Sequence, residues 1–204
     1  NTGPSRLIGN SSTPAALLAV AGRVNGFMTY TRGHNYNSSY FYGVDEQYSR
    51  GNGAGWTAND GLQDARLPWN TVHNNGGKVY ATSYYNPADL YETMGDILDA
   101  ADVGYDSYNT TQVILWKNNG AQIFKYGSPM IGIENPETYR RQYGFKLWAA
   151  NYTGSMLSNY QSAAGSIWND FDPISPYGQN KDENFAYPTS TNPIDTTAFE
   201  GYRE

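Results

Sequence analysis

The clearest structural signal in this chain is the segment Tyr40-Phe41-Tyr42-Gly43-Val44-Asp45-Glu46. Its first five residues carry no charge and are mostly aromatic or β-branched, which is typical of a buried β-strand. The strand pattern then breaks into two adjacent carboxylates. Strands of a (β/α) barrel present catalytic groups at their carboxyl ends, on the open face of the barrel. The segment therefore predicts that Asp45 and Glu46 lie at such a face.

Two neighbouring carboxylates can act as an acid and an anion. Their mutual repulsion favours a state in which one is protonated and the other is ionised. A proton donor beside an anion is what cleavage of a glycosidic bond requires. Because successive side chains of a strand point to opposite faces, both acids can reach one sugar only if the backbone bends after Val44. The alternative is that Asp45 and Glu46 only begin a loop and cap the next helix.

Outside this segment, helix and strand patterns alternate along the chain. Strands are predicted near residues 78–84, 97–104, 121–126 and 154–160. Helices are predicted to begin at Thr13-Pro14, at Asn59 or Asp60, at Pro87, near residue 110 and at Asn135-Pro136. A long loop over residues 161–194 is expected to lead to a final helix capped by Thr197. The alternation predicts a parallel sheet with crossover helices.

The predicted architecture is an α/β fold of about five strand–helix units. A closed barrel needs eight units and about 250 residues, so five units would leave two open sheet edges. We therefore expect residues 1–204 to be one partial domain, the C-terminal portion of a (β/α)8 TIM barrel. Roughly three further units, the remainder of the same barrel, are expected upstream of Asn1. The alternative is a doubly wound open sheet, with a crevice where the strand order reverses.

Composition narrows the class of function. The chain carries a net charge of −6 and no basic run, so nucleic-acid binding is not expected. Cysteine is absent, which excludes disulfides, cysteine zinc sites and thiol catalysis. No stretch of about 18 apolar residues predicts a membrane span. The 19 tyrosines suit carbohydrate recognition, because sugars offer hydroxyls to hydrogen-bond and CH faces to stack on.

Four sequons for N-glycosylation permit passage through the secretory pathway. They are Asn10, Asn37, Asn109 and Asn151, each with Ser or Thr two residues further on. We therefore expect a secreted glycoprotein, located outside the cell or in the secretory pathway.

The sequence offers little for metal or cofactor chemistry. Its two histidines, His34 and His73, lie in a loop and on a helix face and suggest no shared metal site. One acidic loop could bind Ca²⁺, but its residues lack the spacing of an EF-hand loop, so a solvated loop is predicted; they are Asp170, Asp172, Asp182 and Glu183. No metal and no cofactor are predicted.

Aromatic residues near the strand ends are candidate substrate contacts. Tyr84, Tyr126 and Tyr160 lie at or near the carboxyl ends of predicted strands, where their hydroxyls could bond a sugar and their rings could stack on it. The alternative for each is an ordinary core aromatic.

Tryptophans divide into two groups. Trp168 lies beside Asn169 in a polar loop, and Trp56 lies in a Gly-rich loop, so these residues are predicted to contact or cover a sugar. By contrast, Trp69 and Trp148 lie on apolar helix stripes and are predicted to pack in the core.

Several segments, taken in order, resemble glycoside hydrolase family 123 and its uncharacterised barrel relatives. They are residues 41–46, 69–79, 140–148, 168–172 and 199–204. The resemblance covers most of residues 13–204 and corresponds to the second half of that family's barrel. One departure is Gln47, because those proteins commonly have Pro after the acidic pair.

The resemblance implies a retaining β-N-acetylhexosaminidase with N-acetylgalactosamine as the sugar. In that mechanism the 2-acetamido oxygen of the substrate attacks the anomeric carbon, so no residue of the enzyme is the nucleophile. Glu46 is then the general acid that protonates the leaving oxygen and later activates water. Asp45 stays ionised, holds the acetamide N–H and stabilises the oxazolinium-like charge.

Two other functions remain open. One is a non-catalytic, extracellular carbohydrate-binding or structural relative that kept the barrel. The other is a glycosidase for another sugar, which uses Glu46 as the acid together with a distant carboxylate.

Overall fold

The computed structural model describes residues 13–43, 58–83, 87–104, 108–127, 135–157, 160, 167–168 and 184–204. These residues form an α/β structure in which strands and helices alternate. The elements of the first half are α1 (Pro14–Gly33), β1 (Tyr40–Tyr42), α2 (Ala58–Asn74), β2 (Lys78–Ser83), α3 (Pro87–Met94), β3 (Ala100–Val103), α4 (Thr110–Asn118) and β4 (Gln122–Lys125). The second half contains α5 (Pro136–Tyr139, Arg140–Phe145 and Lys146–Ala149 in succession), β5 (Gly154–Ser155), β6 (Ala186–Tyr187), β7 (Ile194–Asp195) and α6 (Thr197–Arg203).

The main sheet is parallel, and its strands follow the order β1-β2-β3-β4-β5. Tyr42 pairs with Tyr80 across β1 and β2, and Thr82 pairs with Asp102 across β2 and β3. The order of the described strands shows no reversal, whereas a doubly wound sheet reverses at its switch point. The predicted alternation of parallel strands and helices is therefore confirmed.

The chain divides into two compact units, Asn1–Phe124 and Lys125–Glu204. In the first unit, α1 packs against α2, α2 against α3 and α3 against α4. Right-handed crossovers that add strands in one direction place successive helices on the same face of the sheet. The side chains of that face are almost completely buried; they are Phe41, Val79, Ala81, Ala101, Val103 and Ile123.

Helix α1 begins where the sequence predicts it, and its first turn shows the reason. The Thr13 hydroxyl accepts a hydrogen bond from the Ala16 N–H at 3.3 Å, and Pro14 occupies the first helical position. Residues spaced by three or four then face the core: Val20, Val24, Met28 and Thr31. Helices α3 and α4 also begin at the predicted positions. Among the described residues, none of the helices is both long and apolar enough to cross a membrane.

The predicted loop over residues 161–194 is wrong in its last part. Ala186 pairs with Asp195 and Tyr187 with Ile194 in an antiparallel hairpin of β6 and β7. The final helix begins one residue earlier than predicted, because the Thr196 hydroxyl accepts the hydrogen bond from the Phe199 N–H at 3.2 Å. Thr196, rather than Thr197, is therefore the capping residue.

The second unit is held by aromatic packing between α5, α6 and the residue before β6. The Phe185 ring lies 5.6 Å from Tyr139, 5.4 Å from Phe199 and 5.2 Å from Tyr202, measured between ring centroids. Gly201 allows this approach, because a Cβ there would clash with the backbone of Pro136.

Trp148 does not pack in the core, so that prediction is wrong. Its side chain is 83% exposed, whereas the neighbouring Leu147 is buried. Residues Arg140–Phe145 form a π-helical turn, which has more residues per turn than an α-helix, so the regular spacing that would place Trp148 on the stripe with Tyr143 does not hold. Trp69 behaves as predicted, since it is 1% exposed and its indole lies against Gly43.

We predict that Gly43→Ala destabilises the fold. A Cβ at Gly43 would lie 2.5 Å from Nε1 of Trp69, so the free energy of unfolding should fall by about 1–3 kcal/mol. The matched control is Gly26→Ala in α1, where an added Cβ meets nothing within 4 Å. That variant should gain up to about 1 kcal/mol from helix propensity. Urea denaturation measures both values, and equal stability of the two variants would contradict this packing.

A bidentate ion pair joins α2 to the turn after α3. Arg66 Nη1 and Nη2 donate to the two carboxylate oxygens of Asp96 at 2.8 Å and 2.7 Å, and Arg66 also donates to the Thr93 carbonyl. These hydrogen bonds hold the pKa of Asp96 below its ordinary value. A surface depression of about 460 Å³ lies here, and its charged lining residues are Glu92 and the paired Arg66 and Asp96.

The Arg66–Asp96 pair predicts a pH-dependent difference between the wild type and Asp96→Asn. Because the folded-state pKa is lowered, the stabilisation is complete above the unfolded pKa of about 3.9 and is lost as the pH falls through the folded value. Asp96 is 65% exposed, so the wild-type advantage near neutral pH should not exceed about 1 kcal/mol. Urea denaturation at neutral and acidic pH measures it, with Glu92→Gln on the exposed side of α3 as the control. An advantage that grows in acid would overturn this assignment.

Candidate functional site

The face of the sheet opposite the helices is polar and rich in tyrosine. Residues that pair across parallel strands point to the same side, and side chains alternate along each strand. This rule groups the residues that we call the tyrosine face, all within the first unit: Tyr40, Tyr42, Lys78, Tyr80, Thr82, Asp102 and Gln122. The Tyr40 hydroxyl donates to Gln122 Oε1 at 3.2 Å, which places Gln122 on the same side. Apart from Ala100 on this face and Ser83 on the other, the two faces of the sheet therefore differ in chemistry.

Four side chains meet at the carboxyl end of the tyrosine face. The rings of Tyr42 and Tyr80 lie 4.9 Å apart at an angle of 31°. The Tyr42 hydroxyl and the Thr82 hydroxyl share a hydrogen bond of 2.6 Å, and the Tyr80 hydroxyl donates to Asp102 Oδ2 at 3.4 Å. Thr82 and Asp102 are buried, while both tyrosines are half-buried. Rings, hydroxyls and a carboxylate thus form one connected group.

The amino end of the same strands has a different character. Lys78 Nζ lies 5.4 Å from the centre of the Tyr40 ring. Asp99, just before β3, accepts hydrogen bonds from the Val79 N–H at 2.8 Å and pairs with His73 Nε2 at 2.9 Å. Groups at the amino end of parallel strands usually serve stability rather than chemistry. We therefore interpret the pairing of His73 with Asp99 as structural.

The predicted catalytic pair follows β1 at the carboxyl edge. Gly43 is the last described residue there, and Asp45 and Glu46 lie outside the described residues. The same holds for four other predicted residues: Asn10, Trp56, Tyr84 and Asn169.

Three predicted aromatic contacts lie in the second unit and are described. Tyr126 directly follows β4 and is buried, as is Lys125 before it. Tyr160 is 47% exposed, and its ring meets Phe199 edge-on at 5.7 Å. Trp168 is 56% exposed and stacks on Tyr187 at 5.3 Å, with the two rings 20° from parallel. Trp168 is therefore the best placed of the three for stacking on a ligand.

The three described sequons differ in local structure. Asn37, Asn109 and Asn151 are all exposed. The Asn109 side chain caps α4 by accepting from the Gln112 N–H at 3.2 Å. Asn151 has a φ of 61°, the left-handed conformation that asparagine tolerates after a helix.

Sequence reasoning missed the four side chains at the carboxyl end of the tyrosine face. Tyr42, Tyr80 and Thr82 belong to predicted strands, but their shared side depends on the pairing register between strands. Asp102 offered one local signal, because it is a single acid inside the apolar strand Ala100–Val103. A buried carboxylate in a strand is costly unless it is hydrogen-bonded, which marks it for attention.

Two further observations concern possible metal ligands and the comparison with known proteins. Among the described residues, no three His, Asp or Glu side chains are grouped as metal ligands would be. No protein-family model matches the chain, and no curated protein sequence matches it.

We predict that Tyr42→Phe weakens the connected group. Loss of the hydrogen bond to Thr82 should lower the free energy of unfolding by about 0.5–1.5 kcal/mol, because the Thr82 hydroxyl is buried. Tyr36→Phe is the matched control, since Tyr36 is 65% exposed, and it should change the stability by less than about 0.5 kcal/mol. Urea denaturation distinguishes the two variants, and equal losses would argue against the Tyr42–Thr82 bond.

Proposed function

We propose that this chain is the C-terminal part of a (β/α)8 barrel glycoside hydrolase. Its substrate would be a β-linked N-acetylhexosamine glycoside of the N-acetylgalactosamine type, cleaved with retention of configuration. The observation that carries the proposal is the group of polar and aromatic side chains at the carboxyl edge of the sheet. Asp45 and Glu46 follow β1 in sequence at that edge, close behind Tyr42.

The barrel part of the proposal rests on the sheet. The five strands follow chain order in one direction, and the helices of the first unit form a row on one face. A barrel closes such a sheet around the face opposite the helices, and its inward residues form layers. Tyr42, Thr82 and Asp102 would then belong to the layer nearest the carboxyl ends, where barrel enzymes bind substrate.

The proposed reaction needs only the substrate, one water molecule and the two acids. The acetamide oxygen forms a bond to the anomeric carbon while the bond to the leaving oxygen breaks, and Glu46 gives that oxygen its proton. Asp45 accepts a hydrogen bond from the acetamide N–H and stabilises the positive charge that develops. Glu46, now ionised, then takes a proton from the water that opens the oxazolinium at the anomeric carbon.

The proposal also covers the location of the protein, its glycosylation and its partner. Exposed Asn37, Asn109 and Asn151 support a secreted glycoprotein, because sequons must be accessible to be modified. The partner is a carbohydrate.

A second candidate is a carbohydrate-binding relative without catalysis. The exposed stack of Trp168 on Tyr187 favours it, because such an aromatic surface can hold a sugar ring without any acid.

The test is Glu46→Gln in the full natural chain, assayed on two β-N-acetylgalactosaminides. For an alkyl glycoside, whose leaving oxygen needs a proton, kcat/KM should fall by about 100- to 10,000-fold. For a nitrophenyl glycoside the loss should be much smaller, because nitrophenolate leaves without protonation.

Glu92→Gln is the control, since Glu92 is exposed on α3, and it should keep wild-type rates for both substrates. Hydrolysis of the alkyl glycoside by Glu46→Gln at the wild-type rate would refute the hydrolase. Absence of activity in the wild type, together with sugar binding that Trp168→Ala weakens, would favour the non-catalytic relative.

A further inference from the structure

We propose that Asn151 carries an N-linked glycan whose first N-acetylglucosamine stacks on the indole of Trp148. This inference rests on the proposed passage of the chain through the secretory pathway, and it does not depend on the hydrolase. It gives one of the four sequons a specific contact with the protein, and it gives the exposed ring of Trp148 a neighbour.

The exposure of Trp148 is the first observation. At 83% it is the most exposed of the described large hydrophobic residues, and its indole makes no ring contact within the described part of the chain. An indole has a large apolar face, which favours a neighbour that covers it. The CH face of a pyranose is such a neighbour, and an N-linked glycan supplies one wherever the modified asparagine lies close by.

The end of α5 brings Trp148 and Asn151 together. The Asn151 N–H donates to the Trp148 carbonyl at 3.0 Å, and the Tyr152 N–H donates to the Leu147 carbonyl at 3.0 Å. With a φ of 61° at Asn151, these two hydrogen bonds form a Schellman motif. Leu147 and Tyr152 are buried, so this turn is anchored in the core. The Cα atoms of the first and last residues of such a hydrogen-bonded turn lie within about 7 Å of each other.

The residue type at the left-handed position is the second observation. Glycine is the usual residue there, because it adopts a positive φ without strain. Here the position is taken by Asn151, and Thr153 completes the sequon two residues later. Both residues are exposed. Attachment of a glycan is a role that asparagine fills at this position and glycine does not.

The other two described sequons have different surroundings. The residue three places before Asn37 is His34, and its ring already lies 4.4 Å from the ring of Tyr30. The Asn109 side chain accepts a hydrogen bond as the cap of α4. Of the described sequons, Asn151 is therefore the one that shares a hydrogen-bonded turn with an exposed tryptophan.

The experiment is a double-mutant cycle on the full natural chain secreted from a eukaryotic host, with occupancy of Asn151 measured by peptide mass spectrometry. Thr153→Ala removes the sequon and keeps Asn151 in its turn. It should lower the melting temperature by about 2–4 °C, the shift expected when a chain of this size loses one stacking contact. In the Trp148→Ala background the same change should cost less than about 1 °C, because the indole is already absent. The cycle cancels the contribution of the Thr153 hydroxyl itself.

Phe145→Ala provides the matched control background. Phe145 is 67% exposed on the same helix but lies about one turn further from Asn151, so Thr153→Ala should keep its full effect there. If Thr153→Ala fails to fold, Asn151→Gly removes the sequon instead, since glycine suits the left-handed position. The same difference between backgrounds is then expected. An unmodified Asn151 in the secreted protein overturns the inference, and so does an equal loss of melting temperature with and without Trp148.

NMR gives a direct measurement of the contact. Trimming with an endoglycosidase leaves one N-acetylglucosamine at each modified asparagine. The ring current of the indole should shift the protons of the sugar at Asn151 upfield relative to the same protons in Trp148→Ala. Identical shifts in the two proteins would contradict the stacking.

Failure of this contact and failure of the hydrolase give different results. If Glu46→Gln loses hydrolysis of the alkyl glycoside but the effect of Thr153→Ala does not depend on Trp148, the glycan contact alone is wrong. If the effect of Thr153→Ala depends on Trp148 but the wild type hydrolyses no β-N-acetylgalactosaminide, the glycan contact stands and the catalytic assignment is wrong.

Discussion

The alternation of side chains along parallel strands is the constraint on which the first unit depends. Strands that follow one another in a single direction receive all their helices on one side, so that side must be apolar. Phe41, Val79 and Ala101 satisfy this requirement and are almost fully buried. The other side does not pack against these helices, and its residues include tyrosines, a threonine and an aspartate. The period of two therefore gives the sheet one mainly apolar face and one mainly polar face.

The tyrosine hydroxyls on that second side have hydrogen-bond partners. The hydroxyls of Tyr42 and Tyr80 bond Thr82 and Asp102, and Tyr40 reaches Gln122. Buried polar groups are tolerated when they are hydrogen-bonded, and a connected network restrains every member.

The second unit is stabilised by different interactions from those of the first unit. Its described core is a set of aromatic rings around Phe185, and its outer surface carries ion pairs of Arg140 with Glu137 and Glu204. Arg203 pairs with Glu200 rather than with its neighbour Glu204. Aromatic rings bury much area with few rotatable bonds, which suits a unit with short strands. The glycine at residue 201 is needed because α6 touches Pro136.

Local signals in the sequence were sufficient for the α/β class, for the starts of α1, α3 and α4, and for the burial of Trp69. Caps and prolines act within a few residues, so a linear chain contains all the information that they need. The joining of Tyr42, Tyr80, Thr82 and Asp102 required the register between strands about 20 to 40 residues apart, which only tertiary packing sets. The exposure of Trp148 follows from the π-helical turn before it, and the hairpin of β6 and β7 from the pairing of Ala186 with Asp195, neither of which the periodic patterns predicted. Long-range contacts choose among local patterns that are equally allowed.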